Sequence, residues 1–175
     1  MAEVDIVLLL LAALFAGFID AVAGGGGLIQ VPTLLVALPE QAPAAVFGTN
    51  KLASIFGTGN AAWRYARRIA LPWGLALPAA AAAFVFSLGG AAAVAWLPRE
   101  VVRPLVLVLL LLVLMYTVLR PDFGSVAGPR LEASRERRLA LIAGAILGFY
   151  DGFFGPGAGS FMIFAFVRWF RLDFL

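Results

Sequence analysis

The chain has 175 residues, 63% of them hydrophobic and only 13% charged, a balance that no ordinary soluble domain shows and that marks an integral membrane protein. It contains no cysteine and no histidine, which excludes disulfides, thiolate nucleophiles, imidazole bases and the usual zinc, haem and copper ligands; an enzyme, a metal and a cofactor are therefore not expected. The net charge of +3 comes from arginines placed between apolar runs, so it reads as topology information rather than as a nucleic-acid footprint.

A membrane-spanning helix needs about 20 mostly apolar residues, and five regions reach that length. The first runs from Val4 to Leu38, too long for one straight crossing, with Asp5 and Asp20 as its charges and "AGGGGL" dividing it. Its acidic start, "MAEVDIVLLLL", lacks the basic segment of a cleaved signal peptide, and none is expected. The second region, Ala42 to Ala66, carries "GTNKLASIFGTGNAAW", with Lys51 well inside the apolar stretch. The third, Pro72 to Leu97, is rich in alanine, and the fourth, Val101 to Leu119, reads as a plain lipid-facing span. A polar, arginine-bearing linker follows to Arg138, and the fifth region opens at Leu139 with "GFYDGFFGPGAGSFMI" further on. If each region crosses once, the positive-inside rule places the N-terminus, the "RYARR" turn and the linker in the cytoplasm; if the first region folds back as a hairpin, the N-terminus lies outside.

"GFIDAVAGGGGLIQVP" and "GFYDGFFGPGAGSFMI" align without gaps: Gly17, Phe18, Asp20, Gly24 and Gly26 match Gly148, Phe149, Asp151, Gly155 and Gly157. One of these identities is an aspartate at membrane depth, so composition alone is a poor explanation, and the chain reads as an internal duplication. Residues 1–120 form the first repeat, 121–138 the polar cytoplasmic linker, and 139–175 the start of an incomplete second repeat. The fold class expected is an all-α polytopic membrane protein, a duplicated helical repeat with glycine-broken helices. Four crossings per half would make the repeats parallel and an odd number inverted; the sequence leaves both open. Paired breaks of this kind point to the binding site of a secondary transporter. By the same arithmetic the repeat partner of Lys51 falls at about residue 182, beyond Leu175, so the chain is expected to be a fragment, a truncated product or half of a split protein.

Inside a bilayer, non-helical backbone persists only where it is buried in protein or lines a wet cavity. Gly24, Gly25, Gly26 and Gly27 thus have two readings. One is an anion cradle, with the helix that resumes near Leu28 offering its N–H groups and positive dipole end. The other is close helix packing, which wants small residues spaced by four, as Gly144, Gly148 and Gly152 are. Adjacent glycines favour the cradle. Lys51 is the strongest single candidate, because a charge at membrane depth is expensive and normally lines a substrate or ion path; snorkelling to the interface is the alternative. Asn50, Ser54 and Thr58 recur every four residues beside it and share a helix face. Asp20 and Asp151 could relay protons, pair with Lys51 or an arginine, or cap the helix breaks. Nucleotide motifs are excluded: Lys51 follows Asn50 where a phosphate-binding loop needs glycine, and "GPGAGS" lacks the third glycine of a dinucleotide fingerprint.

"GFIDAVAGGGGLIQVPTLL", "GTNKLAS" and "GFYDGFFGPGAGSF" closely resemble the TauE/SafE family of sulfite exporters, especially its YfcA-like branch, over nearly the whole chain. The resemblance implies a multi-pass protein of the bacterial inner membrane, moving sulfite, organosulfonates or related sulfur-containing anions. Matching the family's glycine-rich segments are Gly24 to Gly27 in the first half and Gly155, Gly157 and Gly159 in the second; Thr49, Asn50 and Lys51, with Ser54, match the segment after the first. The expected partners are the lipid bilayer and a small anion, not nucleic acid, with a second chain supplying the missing helices or a homo-oligomer as further expectations. A rival from another class is a non-transporting membrane subunit or assembly partner, because family members normally continue with a second lysine-bearing segment.

Overall fold

The computed structural model describes residues 6–23, 25–68, 72–119, 132–159 and 161–162, and within them the chain is helical, with no strand. Helices α1 (Ile6–Ala23) and α2 (Gly27–Ala37) divide the first region at its glycines. α3 (Pro43–Arg68), α4 (Trp73–Ala95) and α5 (Arg99–Leu119) match the next three, and α6 (Ala133–Phe153) opens the fifth. Good helix formers in "ASRERRLALIAG" start α6 inside the segment read as linker, so Arg135, Arg137 and Arg138 lie on its first turns. Gly24, residues 120–131 and residues 163–175 lie outside the described residues.

α2 does not continue α1. Its Gln30, Thr33 and Leu34 face Ile6, Leu9, Leu10 and Ala13 across a shallow groove. At the break itself, a β-carbon on Gly26 would lie 2.5 Å from the Ala16 carbonyl oxygen. The chain therefore reverses at the glycines and α2 returns beside α1. With 11 residues, α2 is only about 16 Å long, half of a bilayer's hydrocarbon core. The first region is a hairpin rather than a single crossing. α3 then runs antiparallel to α2: Val31 and Phe47 share one core cluster, while Gly27 meets Pro156, next to the Gly155 that Lys51 approaches.

α4 and α6 pack side by side and run in the same direction. Gly144, Gly148 and Gly152, spaced by four, sit on the backbone of Ala79, Ala83 and Ser87, also spaced by four, and Gly90 returns the contact against Phe149 and Phe153. A β-carbon at Gly144 would stand 2.5 Å from the Ala79 carbonyl oxygen. Lipid supplies no hydrophobic drive between helices, so close backbone approach through small residues is what holds such a pair. Val94, near the end of α4, joins the cluster that holds Phe47, near the start of α3, so α3 and α4 are antiparallel. It follows that α1 and α6 enter their glycine breaks from opposite directions.

The main core, Val31, Phe47, Val94, Val102, Val106 and Phe154, lies beside the two breaks and joins α2, α3, α4, α5 and the end of α6. The outer surface is apolar, with Leu8, Leu14, Phe56, Leu107 and Leu111 all well exposed, as suits hydrocarbon rather than water. Among the described residues, one helix, Trp73–Ala95, is long and apolar enough by itself to cross a membrane. α3 has the length, but it carries Asn50, Lys51, Asn60 and three arginines.

Candidate functional site

The two breaks touch. A β-carbon on Gly27 would sit 3.2 Å from the Cα of Pro156, so α2 starts directly against the turn that ends α6. That turn is built by glycines: Gly155, immediately after the helix-capping Phe154, has φ +89° and Gly157 has φ +79°, values that side-chain-bearing residues rarely adopt. The Phe154 and Gly155 N–H groups both donate to the Tyr150 carbonyl, and the Tyr150 hydroxyl donates to the Pro156 carbonyl at 2.7 Å. Phe154 is buried edge-on against Phe47, with ring centres 6.3 Å apart. Tyr150 and Pro156, which hold this turn in place, were not singled out in the sequence. The signal available was a tyrosine six residues before a proline flanked by glycines.

At this junction α3 delivers Lys51. Its ammonium donates to Oδ1 of Asp151, forming an ion pair between α3 and α6. The side chains remain 38% and 32% exposed. Gly155 makes room for it: a β-carbon there would come within 2.8 Å of Nζ. From Lys51 to Arg64 the helix rises about 20 Å. The lysine and both breaks thus lie well along α3 from its arginine-bearing end, Arg64, Arg67 and Arg68.

Asp20 does something different from its sequence counterpart. Its Oδ1 accepts the Gly26 N–H at 2.9 Å, a charge-assisted bond that places a negative charge at the start of α2. The Leu28, Ile29 and Gln30 N–H groups are also engaged, donating to the Gly25 and Gly26 carbonyls. Most of the amides that could have faced an anion at the first break are thus used within it, and the positive charge of the site rests on Lys51.

Asn50 lies on the buried face of α3 with Val46 and Phe47, only 4% exposed, and its Oδ1 has no hydrogen-bond partner among the described residues. A buried polar atom left in that state costs about 1–3 kcal/mol. The other residues of the polar stripe bond to their own helix. Ser54 Oγ donates to the Asn50 carbonyl and Thr58 Oγ1 to that of Ser54, each at 2.9 Å. Thr49 is exposed and donates to the Ala45 carbonyl. Gly157 faces Val113 of α5 rather than Lys51, and Gly159 is half-buried just beyond the turn.

The profile of the family described as "Sulfite exporter TauE/SafE" matches residues 9–175. "Probable membrane transporter protein YfcA" of Escherichia coli strain K12 is 40% identical over 164 residues, which cover 91% of this chain and 58% of that protein. "Probable membrane transporter protein ORF9" of a Sinorhizobium species is 39% identical over 160 residues, covering 91% and 59%. A "Probable membrane transporter protein" of Haemophilus influenzae is 35% identical over 177 residues, covering 93% and 64%. The chain thus spans less than two thirds of the length of these relatives. No solved structure matches it significantly. These relatives are named as membrane transporters, not enzymes, and with the profile spanning nearly all of its residues the chain belongs to the TauE/SafE family, in its YfcA-like branch.

Proposed function

We propose that this protein is a secondary transporter of small anions, with sulfite, organosulfonates and related sulfur-containing anions as the substrate class. The observation that carries the reading is the position of Lys51 at the junction of two touching helix breaks, which we read as lying near mid-bilayer. A charge at that depth costs about 2.5–3.5 kcal/mol on insertion scales, and a route for anions gives it a use. The buried Asn50 Oδ1 one residue away, without a hydrogen-bond partner among the described residues, supports a polar occupant at the same level. The sulfur-containing class comes from the family description, and the small size from the closeness of the two breaks.

In this reading the protein is a multi-pass protein of the bacterial inner membrane, and the two broken segments are inverted repeats that approach the site from opposite sides. The arginines of α3 and of the α6 start face the cytoplasm. The α1–α2 hairpin then leaves the N-terminal end of α1 on the outer side. Flux of radiolabelled sulfite through proteoliposomes containing the chain tests the function. Lys51→Ala is expected to lower the rate at least tenfold, and an unchanged rate overturns the assignment of Lys51.

A further inference from the structure

We propose that Asp151 is the resident counter-anion of the transport site, and that substrate displaces it from Lys51 by a one-for-one exchange linked to protonation of Asp151. The proposal rests on the transporter reading above and concerns how the same site is coupled. Lys51 and Asp151 form a neutral pair at membrane depth. Adding a monovalent anion to that pair leaves one uncompensated negative charge in a low-dielectric site, which is unfavourable. Adding the anion together with one proton does not: Lys51 turns to the incoming anion, Asp151 takes the proton on a carboxylate oxygen, and the site is neutral before and after. The proton is given up by hydronium, which is left as water, and about a third of the Asp151 side chain is exposed to receive it. No bond other than that O–H is formed.

Among the described residues, few ionisable groups lie on the elements around Asp151. α4, which packs along α6, carries no ionisable residue between Trp73 and Ala95, and α2 carries none between Gly27 and Ala37. The stretch of α5 from Pro104 to Val113, which meets Gly157, is also apolar. α3 contributes Lys51, α6 itself contributes Tyr150, whose hydroxyl is bound to the Pro156 carbonyl, and α1 contributes Asp20. Asp20 is a poor candidate for the same task because its carboxylate holds the Gly26 N–H and so fastens the first break. The two acids, equivalent in sequence, are thus assigned different work: Asp20 secures a break and Asp151 exchanges.

Calorimetric titration of the full chain in nanodiscs with methanesulfonate tests this, since that probe stays a monoanion across the range used. Repeating the titration in buffers of different ionisation enthalpy gives the protons taken up per anion. Wild type is expected to take up close to one proton, with affinity falling about tenfold per pH unit over the range in which that uptake is seen. Asp151→Asn is expected to bind with no proton uptake and no pH dependence, and Lys51→Met not to bind. Binding by wild type without proton uptake, which needs no variant, overturns the exchange and leaves the anion site standing; so does proton uptake that persists in Asp151→Asn. Absence of binding by both wild type and Asp151→Asn overturns the anion-site reading itself, and the exchange with it.

Discussion

Asn50 and Lys51 are neighbours in sequence with opposite fates in the structure: the lysine finds a carboxylate across the protein, and the Asn50 Oδ1 is buried without a hydrogen-bond partner among the described residues. A polar atom kept in that state works against stability, so its retention points to function. Asn50→Leu removes the Oδ1 acceptor while keeping the number and branching of side-chain heavy atoms. It is expected to leave thermal stability in detergent unchanged or raised by up to about 1 kcal/mol, while lowering sulfite flux at least tenfold. A large loss of stability with flux per folded molecule intact would show that the amide is structural. The sequence made Lys51 legible because a cation inside an apolar run is costly wherever it goes. It did not disclose the partner, because Asp151 lies 100 residues away and only packing brings the two together.

At the scale of helices, glycines serve two ends that spacing alone separates. Those spaced by four on α6 let it lie against the α4 backbone, whereas Gly155 and Gly157 supply the left-handed backbone of the second break. Gly148→Ala would drive a β-carbon into the Ala83 backbone and is expected to cost about 1–3 kcal/mol. Gly17, also inside a helix, has open space where its β-carbon would go. Gly17→Ala is therefore expected to be neutral or to gain up to about 1 kcal/mol from helix propensity. Thermal unfolding of the two variants in one detergent checks the sign contrast. The helices themselves were largely readable, since apolar runs bounded by Pro, Gly and Arg give α3, α4 and α5 to within a few residues. The start of α6 was not, because arginines and glutamate in its first turns look like linker by composition although they are good helix formers.

For the molecule as a whole, the decisive feature is the reversal at Gly25–Gly27. It turns α2 back beside α1, so that the N-terminal end of α1 lies at the end of the bundle opposite the arginines of α3 and the start of α6. Because the chain has no cysteine, single-cysteine labelling reads this directly. Ile6→Cys and Ser134→Cys, both at exposed positions, are expected to react with a membrane-impermeant thiol reagent from opposite faces, Ile6→Cys from outside and Ser134→Cys from the cytoplasm. Labelling of both from the cytoplasmic face would mean that the first region crosses once. By itself the sequence determined that this is an all-α membrane protein of the TauE/SafE family, broken at its glycines and carrying a lysine at membrane depth. Those features follow from hydropathy, local backbone preference and motif, each of which is written in consecutive residues. Only the tertiary structure decided that the first region folds back, that α1 and α6 approach their breaks from opposite directions, and that Lys51 pairs with Asp151 while Asp20 fastens Gly26. Those outcomes depend on which helix surfaces approach closely enough to touch, a property of packing between distant segments that local pattern does not encode.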